Sequence, residues 1–214
     1  MQKKIIEIFG KENVLFNKDE LIIYGDVKFI CFPYNIEQIF KIVRLANKYN
    51  LKIFSRGGGS YKKEITSDIV LDFAKFNHIL DTNINDKNVM VQSGVVINHL
   101  NKYLKRLGYY FPIIPYSYEI STVGGIVATN AISAANDLLL KDYIEEIEIV
   151  DGSGKHYKTK DQELIGSFGQ LAIITQVKLK IKKLEDYKIN NKYKISTFQE
   201  NKNKEKFDPN GVLC

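Results

Sequence analysis

Apolar side chains at Ile36, Ile39, Phe40 and Val43 recur at i, i+3, i+4 and i+7, which predicts an amphipathic helix over residues 36–49. Asn35 stands where an N-cap belongs, and Gln38 follows three residues later, as in a capping box. The period then shortens to two in Leu51-Lys52-Ile53-Phe54-Ser55, a strand that runs into a cluster of glycines. Ile69-Val70-Leu71 and Val89-Met90-Val91 read as buried strands. Val96, Leu100, Tyr103, Leu104 and Leu107 restore helical spacing, and Gly108 follows where a C-terminal cap belongs. A strand through Ile147 and Ile149 meets Asp151-Gly152-Ser153-Gly154, a hairpin turn into His156-Tyr157. Val177, Leu179 and Ile181 alternate with Lys178 and Lys180 as a half-exposed strand. Helices and strands intermingle without repeats, so the expected fold class is α+β in two lobes, residues 1–72 and 73–181. Residues 182–214 read as an irregular basic bridge and a C-terminal motif.

At 214 residues, 44% hydrophobic and 26% charged, the chain can bury a core without staples, which excludes wholesale disorder. No apolar run approaches the ~20 residues of a membrane-spanning helix, and residues 1–5 do not resemble a signal peptide. Cys31 and Cys214 alone make neither a disulfide framework nor a metal-ligand set, so no metal and a cytoplasmic setting are expected. The net charge of +6 comes from 28 Lys and three Arg (Arg44, Arg56, Arg106) against 25 acidic residues. Nucleic-acid readers lean on Arg for bidentate contacts, so nucleic acid is not the expected partner. Eight Lys against four acids in residues 182–206 place four of those six charges in the bridge.

Two small-residue segments carry the candidate chemistry. In Ser55-Arg56-Gly57-Gly58-Gly59-Ser60, three glycines can take positive φ and aim consecutive N–H groups at an anion such as a pyrophosphate. The same residues also suit a flexible turn. Neither a Rossmann fingerprint nor a P-loop is present, because no helical period follows the glycines and no Gly-Lys-Ser/Thr occurs. In the second segment, Pro115-Tyr116-Ser117 precedes Ser121-Thr122-Val123-Gly124-Gly125-Ile126-Val127-Ala128-Thr129-Asn130-Ala131. A helix start with exposed N–H groups would favour phosphate there, and small side chains would admit a flat ring. The alternative is close packing of a helix on a sheet.

The order of these segments resembles the FAD-binding domain of the vanillyl-alcohol oxidase/p-cresol methylhydroxylase (PCMH-type) flavoproteins. The similarity is greatest to the FAD-linked oxidases of the glycolate oxidase and D-lactate dehydrogenase branch. The matching pieces are Phe32-Pro33, the glycine cluster, Val70-Leu71-Asp72 with Asn77-His78-Ile79-Leu80, and Val91-Gln92-Ser93-Gly94-Val95. The Pro115 segment and Gly166-Ser167-Phe168-Gly169-Gln170-Leu171-Ala172-Ile173-Ile174-Thr175 complete the series. The resemblance implies a two-lobed fold with FAD between the lobes. Arg56, Gly57, Gly58, Gly59, Ser60 and Tyr61 would hold the pyrophosphate. Pro115, Ser121, Thr122, Gly124 and Gly125 would line the pyrophosphate and flavin. Ala128 and Asn130 would lie near the ring, and Ile173 and Ile174 would offer backbone contacts.

This chain departs from the family in four places. Ser60 stands where covalent members often carry His, so non-covalent FAD is expected. Ile132-Ser133 replace Gly-Gly, Phe168 replaces a usual Glu, and Ala172 replaces a usual Gly. Phe207-Asp208-Pro209-Asn210-Gly211-Val212-Leu213 resembles the motif that closes long members after their cap domain, which reads as a family member without that domain. The implied function is a FAD-dependent oxidoreductase of a small 2-hydroxy acid such as glycolate or lactate. A partner subunit would supply the cap or a redox centre, and an apolar patch would surround Tyr109, Tyr110 and Phe111. The alternatives are an electron-transferring FAD subunit of a heteromeric oxidase and an interaction module without FAD. His78, His99 and His156 are isolated in sequence, and no catalytic side chain is assigned.

Overall fold

The computed structural model describes residues 1–60 and 65–186. Tyr61, the motif at 207–213 and most of the basic bridge lie outside the described residues. The first part of the chain builds α1 (Gln2–Phe9), β1 (Val14–Leu15), α2 (Lys18–Leu21), β2 (Asp26–Cys31), α3 (Ile36–Tyr49), β3 (Ile53–Arg56) and β4 (Thr66–Asp72). Its sheet runs β1-β2-β4-β3, with β2 and β3 both parallel to β4 and β1 antiparallel to β2. β2 and β3 flank β4 and run in the same direction, and α3 supplies the crossover between them.

α3 starts where its cap predicts. The Asn35 side chain accepts from the Gln38 amide at 3.0 Å, and Gln38 Oε1 accepts from the Tyr34 amide at 3.0 Å. Gln38 Nε2 also donates to the Ile8 carbonyl at 3.1 Å, tying the first turn of α3 to α1. The buried face is Ile39, Ile42, Val43 and Ala46, while Ile36 and Phe40 are only half-buried. The stripe is rotated from the expected one because the Phe40 ring lies outward, beneath the Arg44 guanidinium at 5.2 Å. Ile39, Ile42 and Val43, fully buried on this face, each contribute about 1.5–3 kcal/mol.

The rest of the chain supplies β5 (Ile79–Asn83), β6 (Asn88–Gln92), α4 (Ile97–Lys105), β7 (Tyr109–Tyr110), α5 (Val123–Thr129), β8 (Ile144–Asp151), β9 (His156–Thr159), β10 (Ala172–Lys180) and β11 (Lys182–Lys183). An antiparallel sheet runs β5-β6-β10-β8-β9, with α4 and α5 packed into the same apolar core. α4 buries Ile97, Leu100 and Leu104 but leaves Tyr103 and Leu107 exposed. The helix ends before Leu107, and the chain turns through Gly108 at φ +78°. Tyr110 and Phe111 are buried, and β7 pairs with β11, so the apolar patch expected around Tyr109, Tyr110 and Phe111 is absent. These rings serve the chain's own core.

The two sheets are locked together. Val150 and Ile173 belong to the core beneath α3, and Asn47 Nδ2 donates to the Gly152 carbonyl at 2.7 Å. No helix among the described residues is long and apolar enough to cross a membrane.

Candidate functional site

β3 delivers the glycines to the junction of the sheets. Only Gly59 takes a left-handed backbone, at φ +65°. Gly57 and Gly58 are required for a different reason. A Cβ on Gly58 would collide with the Ile120 carbonyl oxygen, and one on Gly57 with Thr122 Oγ1. The loop is therefore pressed against the second small-residue segment. Among the described residues, the N–H groups of Gly58, Gly59 and Ser60 donate no hydrogen bond. Backbone donors left open at a concave junction suit an anion.

Charge is added by Arg56. The parallel register of β3 and β4 sets Arg56 beside Asp72, and Nη1 reaches Asp72 Oδ2 at 2.6 Å. The Asp72 carboxylate is almost fully buried and also accepts from the Ala74 amide at 3.0 Å. The guanidinium lies 4.8 Å from the centre of the Tyr24 ring and packs against Gly59. Burial, and then the neighbouring Asp72 charge, push the Tyr24 hydroxyl above its ordinary pKa, so it stays a neutral phenol. This pairing holds Arg56 in one position at the mouth of the loop.

The start of α5 behaves differently. Thr122 caps it, accepting from the Gly125 amide through Oγ1 at 3.2 Å. The amide of Val123 donates to the Val95 carbonyl at 2.8 Å, that of Gly124 to Ser93 at 2.8 Å, and that of Ile126 to Thr122 at 2.9 Å. The N–H groups expected to be exposed here are bonded instead, two of them by Ser93 and Val95 after β6 and two by Thr122. Gly124 instead permits close approach: a Cβ there would stand 2.6 Å from Ser93 Cβ. Val123, Ile126 and Val127 fill the core while Gly125 and Ala128 face open space.

Three adjoining cavities meet at Arg56, Gly57 and Thr122. The first, open to solvent, measures about 410 Å³ among Ser55, Phe73, Ser93, Ala128, Phe168 and Ile174. The second, also open, measures about 690 Å³ over Phe54, Gly58, Gly59, Ser60, Thr129 and Phe168. The third, about 900 Å³, adds Tyr24, Phe32, Asp72, Asn77 and His99. Two hydroxyls at the first cavity, Ser55 Oγ and Ser93 Oγ, are buried with no hydrogen-bond partner among the described residues.

Ten of the residues expected at the site therefore line this cleft: Arg56, Gly57, Gly58, Gly59, Ser60, Thr122, Gly124, Gly125, Ala128 and Ile174. Pro115, Ser121, Asn130 and Ile173 line none of the three cavities. Ile173 is wholly buried beneath α3, and Asn130 caps the end of α5 at φ +47°. Ser121 stands just behind the loop, with its hydroxyl 3.4 Å from Ser60 Oγ.

Sequence reasoning did not place Tyr24, Asp72, Phe73 or Ser93 at a site, although Asp72 and Ser93 fall in matched motifs. Ser55 opens the candidate glycine segment, and Phe168 enters the sequence reading only as a departure that crowds the flavin region. Of the histidines, His78 and His99 are exposed. His156 is not isolated: Nε2 lies 3.2 Å from Glu148 Oε2, a neighbour that only the β8–β9 register reveals. His99 alone of the three touches the cleft.

Residues 27–160 match the family model described as "FAD binding domain". Among curated proteins, the chain is 27% identical over 172 residues to the D-2-hydroxyglutarate dehydrogenase of Stutzerimonas stutzeri (strain A1501), covering 72% of this chain and 37% of that protein. It is 29% identical over 188 residues to the D-lactate dehydrogenase of Anaerostipes hadrus, covering 78% of this chain and 39% of that protein. The chain thus spans under two fifths of the length of these two relatives. The fold matches that of alkyldihydroxyacetonephosphate synthase with a TM-score of 0.78 at 22% identity, over 86% of this chain and 40% of that one. It matches p-cresol methylhydroxylase with a TM-score of 0.74 at 17% identity, over 85% of this chain and 42% of that one. With more than half of its length matched and this architecture shared, the chain belongs to the FAD-binding domain family and has its PCMH-type α+β fold.

Proposed function

We propose that this chain binds FAD non-covalently in the cleft around residues 56–60 and serves as the flavin-holding part of an oxidoreductase of small 2-hydroxy acids such as lactate or glycolate. One observation carries the reading: the open N–H groups of Gly58, Gly59 and Ser60 lie at a cleft whose packing excludes side chains at Gly57 and Gly58. A diphosphate fits such a cradle, and Ser55 and Ser93, which line the next cavity and whose hydroxyls have no partner among the described residues, fit a polar ligand. Bound FAD would supply hydride and electron transfer, chemistry that side chains do not provide.

The chain's own residues have simpler tasks. The loop amides would bind the diphosphate, and Arg56, fixed by Asp72, would offset its charge. Ala128, Phe73 and Ile174 would exclude water from the apolar parts of the cofactor. The substrate class comes from the names of the relatives, which include D-lactate dehydrogenase and a glycolate oxidase subunit. Ser60 at the end of the glycine run supports non-covalent binding.

The test is to purify the chain, record its visible spectrum, and precipitate it with acid. A yellow protein whose flavin is released to the supernatant supports the reading. A protein that stays colourless and does not gain thermal stability with added FAD ends it. Bleaching of bound flavin by D-lactate or glycolate would establish the substrate class.

A further inference from the structure

Phe168 lines both the first and the second cavity, and of the residues common to the two it alone is aromatic. The other shared walls include Gly57, Gly125 and Ala128, which offer little beyond backbone and a methyl group. Phe168 reaches this place at a conformational cost. Its φ of +54° lies in the left-handed region, which bulky residues rarely adopt and glycine takes freely. The conformation is fixed by its amide, which donates to the Ala128 carbonyl at 2.7 Å, and by Gly166 and Gly169 at φ +83° and +76° on either side. Strain kept in a cavity wall points to a role for the side chain so oriented. A second, independent observation is Ser93, a lining residue of the first cavity that is 3% exposed and whose buried hydroxyl has no partner among the described residues.

We propose that Phe168 is the stacking wall for the purine ring of a bound dinucleotide, with the Ser93 hydroxyl hydrogen-bonding the ring edge. This rests on the FAD reading above. A flat ring between an aromatic face and small residues gains dispersion and electrostatic contact without needing a charge. The purine suits this slot better than the redox ring. The redox ring is the larger of the two and must present a face to a second molecule, whereas the first cavity, at about 410 Å³, is smaller than the two beside it and is walled by buried Phe73, Thr122 and Ala172. With the diphosphate on residues 58–60, the isoalloxazine would leave on the other side of the loop.

The chain contains no tryptophan, so Phe168→Trp installs a single indole at the slot. Titrating this variant with ADP, the purine half of the cofactor without its flavin, should quench the indole emission. Phe168→Leu should weaken FAD and ADP binding about tenfold, leave FMN binding within about twofold, and Phe168→Tyr should keep FAD affinity near wild type. Ser93→Ala should weaken ADP about fivefold. Wild-type FAD affinity in the leucine variant overturns the proposal, as does weakening of FMN rather than ADP. Should the leucine variant not fold, unchanged indole emission on adding ADP overturns it instead. A wild-type chain that binds no FAD defeats the functional reading itself. A wild-type chain that binds FAD while these variants are indifferent defeats only the assignment of Phe168.

Discussion

The glycine loop at residues 57–60 and the start of α5 look alike in sequence, both rich in glycine and hydroxyl residues, yet their backbones are used in opposite ways. At α5 the amides of Val123, Gly124, Gly125 and Ile126 are all bonded within the chain, and the glycine Gly124 serves close packing. In the loop the amides of Gly58, Gly59 and Ser60 bond nothing among the described residues, and the glycines keep the loop tight against its neighbour. A small-residue segment thus keeps its backbone donors open to a ligand only when no other part of the chain claims them. Position in the fold decides this, not composition.

The comparison can be broken most sharply at Gly58. Gly58→Ala drives a methyl into the Ile120 carbonyl, which is backbone and cannot yield cheaply. We expect a loss of about 3 kcal/mol in denaturant unfolding and no FAD binding by spectral titration. Wild-type stability in this variant would show that the two segments are not pressed together. Next is Arg56→Gln, which leaves the buried Asp72 carboxylate without its charged partner. About 2 kcal/mol should be lost, and adding Asp72→Asn should recover a good part of it in a double-mutant cycle. At the helix, Thr122→Ala removes a cap bond and should cost about 1 kcal/mol while FAD affinity changes only a few-fold. A large loss of affinity with no loss of stability would reverse the roles assigned to the two segments.

The smallest effect concerns the strands that carry the loop. Burial pushes the Asp68 pKa up, but the Lys28 ammonium at 2.6 Å and the Lys52 amide at 2.8 Å outweigh it and hold the carboxyl below its ordinary value of 3.8. A folded-state pKa lowered in this way adds stability that is present above the unfolded value and lost as pH falls through the folded one. Asp68→Asn should therefore cost about 0.5–1 kcal/mol near neutrality and nothing in acid below the folded pKa. Equal losses at both pH values would rule out the charge as the cause.

Much of this arrangement was legible in the chain itself. Asn35 and Gln38 declare the start of α3 through contacts three residues apart, and the glycines announce a special backbone. What stayed hidden depends on distant partners. Gly58 needs Ile120, Arg56 meets Asp72 only through a parallel register, and the α5 amides are bonded by residues 93 and 95. The expected apolar patch failed for the same reason: Tyr110 is covered by a strand some seventy residues later. The positive φ of Phe168 leaves no trace in residue type, since its side chain is one that avoids that region.

The place of β10 in its sheet has a consequence for biosynthesis. This strand is the last of the five in sequence yet pairs with β6 on one edge and β8 on the other. Until residue 180 has left the ribosome, β5–β6 and β8–β9 are two separate hairpins with no common sheet, each marginal alone. The same strand brings Ala172 and Ile174 to the first cavity, so a nascent chain has no finished cofactor slot before its sheet closes. If FAD binds in this cleft as proposed, its capture follows translation of this strand, and a chain stalled on the ribosome before it should not hold FAD.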